Sequence, residues 1–260
     1  MEISQVSRTA ILLLICRAVA SEKDKAEFAD PMAVLCLERL ISIASEEDKR
    51  WILKHKGMYE GFHKRDAIAG VRRGKAFDKI VDRFIANNPK CTVINLACGF
   101  DTRFWRIDHE KCRYLDLDLP EVIALKRELL SDHLGYELIG RSVLDLSWID
   151  EVTSNGNTGF ILIAEGLFPW LLPQDAVRLF KEIGEKFARS QLVMDTVHER
   201  YTKGIWKKLV RLHFRLDMGL DVTWDFGLKN SHDLEEYGKG LKVIGEEKGS
   251  AGPIITITVG

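Results

Sequence analysis

One stretch of the chain combines an apolar run, a single glycine and a group of acidic and aromatic residues: NLACGFDTRFW, Asn95 to Trp105. Gly99 has no Cβ, so the backbone there can lie directly against a ligand. Asp101 or Thr102 could cap a following helix, whose N-terminus favours negative charge nearby. A tight turn without a ligand explains one glycine equally well. The G-x-G-x-x-G pattern of dinucleotide enzymes is missing, so nothing demands a pyrophosphate.

Acidic side chains follow several apolar runs that are typical of buried strands. Ligands of open α/β sheets bind beyond the carboxyl ends of the strands, where the strand order reverses. Asp118 at such an end is placed to accept hydrogen bonds from two ribose hydroxyls, and Asp116 would point to the same face. Either could instead be a solvated strand end. Asp145 follows the third run, and Glu165, directly after FILIA, needs a donor or a cation there.

Arg73 lies on the apolar face of a predicted helix. Apolar residues recur at intervals of four, three and four from it, at Phe77, Ile80 and Phe84. Burying an unpaired guanidinium is costly, so Arg73 needs an anion, and its forked donors match a carboxylate. The pattern leaves two partners open: the carboxylate of a ligand, or an Asp or Glu of the protein's own core.

The predicted elements that position these residues are helices in the first third of the chain, followed by strands that alternate with helices. Periodicity predicts helices around residues 5–20, 31–44, 46–56 and 64–87, and Asn87-Asn88-Pro89 ends the last one. Short apolar runs then alternate with helical stretches, which predicts βαβ units and a parallel sheet. The strand candidates are TVINLA, CRYLDLD, YELIG, GFILIAE and SQLVMD, followed by LKVIGEE and PIITITV as an antiparallel edge hairpin connected through Gly249–Pro253. We expect one α/β, doubly wound domain over residues 1–260, with a helical cap (1–88) and an α/β core (89–260).

Composition bounds the function. Hydrophobic residues make up 46% of 260, enough for a large core, and the formal net charge of -1 gives no reason to expect nucleic acid or an anionic membrane as partner. Five cysteines form neither a C-x-x-C pair nor a Cys/His cluster, which predicts no metal site and a reducing, cytoplasmic location. Cys98 could be a nucleophile, but we interpret it as a small buried thiol.

The N-terminal segment imitates a secretory signal. Arg8 precedes the apolar run AILLLIC, and Ala18-Val19-Ala20 has the form of a cleavage site. The run has only seven residues, too few to span a membrane, and Arg17 interrupts it. We therefore expect a helix packed on the core.

The motifs taken together resemble the leucine carboxyl methyltransferase family, which includes tetracenomycin-type polyketide O-methyltransferases. INLACGFDTRFWR is similar to the family's apolar strand followed by L-G-x-G-x-D-T-R, an aromatic residue and an arginine. The resemblance extends to RRGKAFD, YLDLDLPEVIALKRELL, SVLDLSW and AEGLFPWLLPQDA, roughly residues 28–195. Ala97 stands where the family usually has its first glycine, which implies weaker or shifted ligand binding; Gly99 keeps the second.

The resemblance implies a class I methyltransferase with a mostly parallel seven-stranded sheet and S-adenosylmethionine as cofactor. By position, Arg73 would hold the methionine carboxylate, Asp118 the ribose, and Glu165 would lie by the amino group. Asp145 and Leu146 would flank the adenine. The candidate cofactor-binding residues are Arg73, Leu96, Ala97, Cys98, Gly99, Asp101, Asp116, Asp118, Asp145, Leu146 and Glu165.

Methyl transfer from a sulfonium mainly requires an oriented acceptor and excluded water. A carboxylate acceptor needs no general base; for a hydroxyl, Asp195, His198 and Tyr201 follow the fifth strand and are candidates, with surface or structural roles as the alternative. Four aromatic residues could line an acceptor pocket or simply pack in the core: Trp170, Trp206, Phe214 and Trp224.

The leading prediction is an O-methyltransferase acting on a hydroxyl or carboxylate of a small molecule, polyketide-like acceptors included. A methyltransferase of protein C-terminal carboxylates and a non-catalytic sensor that binds the nucleoside are the alternatives. A nicotinamide oxidoreductase is disfavoured because the glycine triad is missing.

Overall fold

The computed structural model describes residues 5–23, 28–61, 63–154, 159–249 and 251–260. Four helices precede the first strand: α1 (Gln5–Lys23), α2 (Pro31–Ile43), α3 (Glu46–Glu60) and α4 (Lys64–Asn87). Local signals set several bounds. The Asp30 side chain accepts from the backbone of Ala33 and Pro31 begins α2, while Ser45 caps α3. The predicted helices are confirmed, although α3 continues four residues beyond the predicted end at 56.

Seven strands form one sheet: β1 (Thr92–Leu96), β2 (Arg113–Asp118), β3 (Glu137–Gly140), β4 (Phe160–Ala164), β5 (Ser190–Asp195), β6 (Leu241–Lys248) and β7 (Pro253–Val259). Their order is β3-β2-β1-β4-β5-β7-β6. Strands β1 to β5 are parallel, and β7 runs antiparallel to both β5 and β6. The predicted doubly wound sheet and its antiparallel hairpin are confirmed; Ser250, in the hairpin's connection, lies outside the described residues.

The remaining helices are α5 (Pro120–Leu130), α6 (Ser147–Thr153), α7 (Pro173–Lys186) and α8 (Gly204–His213). Strands β1 and β4 are buried at every position, as their lack of polar alternation predicts for strands covered on both faces. The strand order reverses between these two strands, so a ligand site is expected beyond their carboxyl ends.

Helix α1 packs on α2, α3 and α4. Ile11, Leu14, Ile15 and Ala18 are fully buried, so the apolar N-terminal run belongs to a core of the folded chain. Within the described ranges, no helix is long and apolar enough to cross a membrane. The division into a cap (1–88) and a core (89–260) stays a prediction.

Candidate functional site

A cavity of about 760 Å³ lies beyond the carboxyl ends of β1, β2, β4 and β5. Its volume is typical of sites for small molecules, which range from about 300 to 1,000 Å³. Residues of α1, among them Ala10, Leu13 and Arg17, form another part of its wall. The cavity therefore occupies the place that the topology predicts for a ligand.

Most of the predicted site residues meet at this cavity. Those that line it are Arg73, Ala97, Cys98, Gly99, Asp101, Asp118 and Glu165. Leu96, Asp116, Asp145 and Leu146 are not among its lining residues. Of the three general-base candidates, Asp195 lines the cavity, whereas His198 and Tyr201 do not.

Asp116 is buried inside the protein instead of facing the cavity. Its carboxylate is fully buried, lies 2.7 Å from the ammonium of Lys126 and accepts the side-chain amide of Asn95 at 3.0 Å. Lys126 of α5 is itself fully buried and needs this anion, because an unpaired buried charge is costly. The expectation that Asp116 contacts a ligand beside Asp118 is therefore corrected: it neutralises a lysine.

The third strand contributes a different segment from the one that the family motif suggests. Asp145 is exposed, and its carboxylate accepts the backbone and hydroxyl of Ser147 at 3.2 and 2.7 Å, which makes a local turn. Leu146 packs against the core on the other side. The cavity wall is formed by the residues just before them, 142–144. Leu96 is likewise core, with no exposed surface.

The loop after β1 is bent by two residues with positive φ. Ala97 has φ +50° and Gly99 has φ +51°. A Cβ on Gly99 would lie 2.8 Å from the Cβ of Ala10, so only glycine fits beneath α1. Cys98, between them, is buried, and burial raises the pKa of its thiol, which disfavours the nucleophile interpretation.

Asp118 is fixed at the end of β2 by backbone donors. Its two carboxylate oxygens accept the N–H groups of Gly99 at 2.6 Å and Leu119 at 2.7 Å. Burial raises the pKa of this carboxyl group above its ordinary value, although both N–H groups oppose the shift. Each oxygen can accept a further hydrogen bond, so the fixed carboxylate can bind a pair of hydroxyl groups.

Arg73 already has partners in the protein, and they stand at the carboxyl edge of the sheet. Its Nε donates to Glu165 at 3.1 Å, and Nη1 donates to Asp195 at 3.0 Å. The internal pair that the sequence left open is thus formed. Its Nη2 is buried and has no hydrogen-bond partner among the described residues, so one donor nitrogen stays available.

Glu165 is surrounded by three guanidinium groups. Besides Arg73, it accepts from Arg17 at 3.3 Å to both oxygens and from Arg103. Burial alone would raise the pKa of Glu165, but Arg17, Arg73 and Arg103 outweigh it and lower the pKa to about 2. Both oxygens are thereby occupied, so this carboxylate orients arginines and has little capacity left for a ligand.

A second carboxylate, Asp101, ties the same arginines to the rest of the chain. It pairs with Arg17 at 2.8 Å, with Arg103 at 2.7 Å and with Arg106 at 3.3 Å. Burial would raise the pKa of Asp101, but Arg103, Arg17 and Arg106 hold it well below its usual range. Asp78 of α4 closes the network by binding both Arg103 and Arg106.

Sequence reasoning found Arg73 but missed the other three arginines of this network. Arg103 and Arg106 stand inside DTRFWR, and Asp78 stands inside RRGKAFD, so the quoted motifs contained the signal. Arg17 was interpreted only as an interruption of an apolar run, although an arginine among buried neighbours needs an anion as Arg73 does. We call Arg17, Arg73, Asp101, Asp118 and Glu165 the charged end of the cavity.

Another part of the cavity wall is aromatic. The ring of Phe214 lies 5.4 Å from that of Trp170 and 5.5 Å from that of Trp224, between centroids, and all three line the cavity. We call these three residues the aromatic end. The hydroxyl of Thr223 beside them is buried and has no partner within the described parts of the chain. Trp206, the fourth aromatic candidate, does not line the cavity and is 48% exposed.

The three general-base candidates also differ in whether they line the cavity. Asp195 accepts Arg73 Nη1 on one oxygen and the N–H of Gly166 at 2.6 Å on the other. Burial raises its pKa, while Arg73 opposes that shift. His198 is exposed and accepts the backbone of Arg200, and the hydroxyl of Tyr201 accepts from the Arg200 side chain. Only Asp195 of the three is therefore positioned to touch a ligand in the cavity.

The chain is similar in sequence to known methyltransferases. The tetracenomycin polyketide synthesis O-methyltransferase TcmP of Streptomyces glaucescens is 29% identical over 171 residues, which cover 65% of this chain and 60% of that protein. Leucine carboxyl methyltransferase 1 of Cryptococcus neoformans is 26% identical over 159 residues, covering 42% and 44%. The chain thus spans about three fifths or less of the length of these relatives.

A solved structure supports the fold. The PH0226 protein of Pyrococcus horikoshii OT3 superposes with a TM-score of 0.51 at 16% identity, over 72% of this chain and 91% of that one. The family model for leucine carboxyl methyltransferase matches residues 10–184, which include most of α1, the loop after β1, Asp118 and Glu165. The chain therefore belongs to the leucine carboxyl methyltransferase family.

Proposed function

We propose that the protein is an S-adenosylmethionine-dependent O-methyltransferase whose cofactor and acceptor both bind in the cavity. The observation that carries this proposal is a pair of polar groups at the charged end that can still bind a ligand. The carboxylate of Asp118 is held by two backbone N–H groups, at 2.6 and 2.7 Å, and its oxygens can accept further hydrogen bonds. The Nη2 of Arg73 is buried in the same cavity wall and has no hydrogen-bond partner among the described residues. A pair of ribose hydroxyls suits such an acceptor, and a carboxylate suits such a donor.

The charged end fits the parts of this cofactor. Asp118 would accept the two ribose hydroxyls, and the free Nη2 of Arg73 would donate to the methionine carboxylate. The backbone of Ala97 to Gly99 would lie along the methionine and sugar, and Val143 with Leu144 would contact the adenine. Glu165 acts in this proposal as a positioning residue for Arg73, because its oxygens are already occupied by arginines.

When bound, the cofactor supplies an electrophilic methyl group on sulfur. The protein has to hold the acceptor in line with that group and keep water out. Helix α1 would help to keep water out, since Ala10, Leu13 and Arg17 form part of the cavity wall. The aromatic end would hold the acceptor in place, because the flat rings of Trp170 and Phe214 orient an apolar molecule by stacking or edge contact.

The aromatic residues and Asp195 of the cavity wall support one class of acceptor. An apolar molecule with an aromatic ring matches the aromatic end, and a hydroxyl on it would lie near the one base candidate that lines the cavity, Asp195. Its raised pKa brings this carboxyl group closer to that of a useful base. We therefore propose a small aromatic molecule that is methylated on a hydroxyl group.

Transfer of a tritiated methyl group from S-adenosylmethionine tests the proposal directly. The acceptors are 1-naphthol and related phenols, compared with 1-naphthoic acid and with a peptide that ends in a leucine carboxylate. We expect label in the naphthols and little in the peptide. Label only in the peptide would instead assign a protein carboxyl methyltransferase, and tight cofactor binding without transfer to any acceptor would assign a sensor.

A further inference from the structure

Helix α8 exposes an apolar stripe to solvent. Ile205, Leu209, Leu212 and Leu216 are 69%, 47%, 49% and 70% exposed. They recur at intervals of four, three and four, which places them on one face of α8 and of the π-helical turn that continues it, Phe214–Met218. Large exposed residues scattered singly need no explanation, but a continuous row on one helix face marks an interaction surface.

The stripe is not the face by which α8 packs on the protein. Phe214 is 7% exposed and lines the cavity, and Lys207 reaches inward to Asp225. On a wheel of 100° per residue, these two lie on the side nearly opposite the stripe. A surface helix normally carries polar side chains there, so α8 departs from the usual amphipathic pattern by being apolar on its solvent side.

A basic row flanks the stripe. Lys208, Arg211 and Arg215 are exposed on the adjacent side of the helix, and of these Arg211 pairs with Asp221 at 2.7 Å. Residues 199–217 contain six lysines and arginines against two acidic residues, although the whole chain has a net charge of -1. Three of the six are paired: Lys203 with Glu199, Lys207 with Asp225, and Arg211 with Asp221. Lys208 and Arg215 therefore carry most of the exposed positive charge beside the stripe. The balanced total, which gave no reason to expect an anionic membrane, therefore hides a locally cationic segment.

We propose that α8 docks on an anionic lipid surface, with the stripe in the acyl boundary and the basic row at the head groups. An exposed row of Leu and Ile beside a Lys/Arg row is the pattern of helices that lie in a membrane interface. A second copy of this chain is the weaker occupant. Symmetric packing of α8 on α8 would bring the two basic rows near each other, and like charges across an interface are destabilising.

Docking would give the cavity access to apolar acceptors. Phe214 forms the aromatic end from the inner side of the same helix whose outer side carries the stripe. A molecule dissolved in the bilayer would then have a short path to the cavity. This consequence rests on the proposed function, whereas docking itself does not.

Co-sedimentation of the full chain with vesicles tests the docking. The vesicles are phosphatidylcholine alone or phosphatidylcholine mixed with phosphatidylserine. We expect binding to the mixed vesicles that weakens with added salt, since screening reduces attraction between exposed charges. The double variant Leu209→Gln, Leu212→Gln should partition about tenfold less, because two buried apolar side chains are lost from the lipid contact.

The matched control is the double variant Leu53→Gln, Ile244→Gln. Those residues are 50% and 52% exposed but lie on α3 and β6, so vesicle binding should not change. The variant Lys208→Gln, Arg215→Gln should remove the preference for phosphatidylserine. Calorimetry with S-adenosylmethionine should give the same dissociation constant for the stripe variant as for the unmodified chain, which separates failure of docking from failure of the proposed function.

Several outcomes would overturn the proposal. They are no binding to either kind of vesicle, equal binding to both, or equal loss in the control variant. Light scattering supplies another: a dimer of the unmodified chain that becomes monomeric in the stripe variant would assign the stripe to a second copy.

Discussion

The two ends of the cavity differ in how their side chains are held. In the charged end, Arg73, Asp101 and Glu165 each contact more than one oppositely charged partner, and most of these contacts are buried. The aromatic end depends on ring contacts, which are weakly directional. Buried ionic networks lose much when one member is removed, whereas aromatic walls adapt to several shapes. The charged end is therefore suited to one fixed cofactor, and the aromatic end to acceptor choice.

Breaking the buried ionic network that holds the charged end should have the largest effect. Arg103 is fully buried and pairs with Asp78, Asp101 and Glu165. Arg103→Ala should lower the free energy of unfolding by about 3–5 kcal/mol, because three buried carboxylates lose a partner. Urea denaturation measures this. The control is Arg113→Ala, which breaks a partly exposed pair with Glu137 and should cost at most about 1 kcal/mol. Equal losses in the two variants would contradict the distinction.

Acid should weaken the same end. The pKa of Glu165 is lowered to about 2 from an ordinary 4.5, and that of Asp101 is also lowered. Groups with a depressed folded pKa stabilise the native state above their unfolded pKa and lose that contribution as the pH falls. The raised pKa values of Asp118 and Asp195 act in the opposite direction. We expect the urea midpoint to fall from about pH 5 to about pH 3; a flat or rising midpoint there would contradict the network's ionisation.

Two acidic residues that the sequence predicted for the cofactor site, Asp118 and Asp145, should differ in their effect on cofactor affinity. Asp118→Asn should weaken S-adenosylmethionine binding about tenfold, since it removes charge-assisted hydrogen bonds to the ribose. Asp145→Asn should leave the dissociation constant unchanged, because Asp145 is exposed and lies off the cavity wall. Calorimetry on both variants measures the difference, with circular dichroism as the check on folding. A larger loss of cofactor affinity in Asp145→Asn than in Asp118→Asn would show that Asp145 contacts the cofactor.

A substitution at the aromatic end should weaken binding of the acceptor and leave binding of the cofactor unchanged. Phe214→Leu removes ring contacts to Trp170 and Trp224. The Michaelis constant for 1-naphthol should rise about 3- to 10-fold, the equivalent of one or two aromatic contacts. The dissociation constant for S-adenosylmethionine should stay unchanged. Loss of cofactor affinity instead would mean that the two ends are not separate subsites.

The smallest effect is expected at Ala97. Its φ of +50° is a conformation that strains a residue with a Cβ, so Ala97→Gly should stabilise the protein by up to about 1 kcal/mol in urea denaturation. The same change at the exposed helical position Ala124 should destabilise it by about 1 kcal/mol, because glycine disfavours a helix interior. Destabilisation at both positions would show that the loop is not strained.

The fold and the charged end were largely readable from the sequence because local patterns determine them. Apolar runs without alternation predicted β1 and β4, and the four-three-four spacing placed Arg73 on a buried face. What the sequence could not give was pairing. Asp116 and Asp118 share a strand face. Only the packing of α5 shows that Lys126 forms an ion pair with Asp116, whereas Asp118 lines the cavity.

The aromatic end was the least predictable region. Trp170 and Phe214 are separated by more than forty residues, and ring contacts leave no spacing signal in the sequence. Trp206 and Trp224 were equivalent candidates by type, yet α8 turns Trp206 outward. Helix α8 and its stripe were not predicted. The four-three-four spacing of the stripe is helical, but periodicity alone does not say which apolar face of a helix meets the core.

Titration calorimetry with S-adenosylhomocysteine and 5′-methylthioadenosine tests the central claim, that the charged end binds the amino-acid part of the cofactor as well as its ribose. The account predicts saturable binding of S-adenosylhomocysteine and at least about tenfold weaker binding of methylthioadenosine, which lacks the carboxylate that Arg73 would contact. Replacement of Arg73 by Met should remove most of this difference. Equal affinity of the unmodified chain for both ligands, or no heat with either at millimolar concentration, would contradict the account.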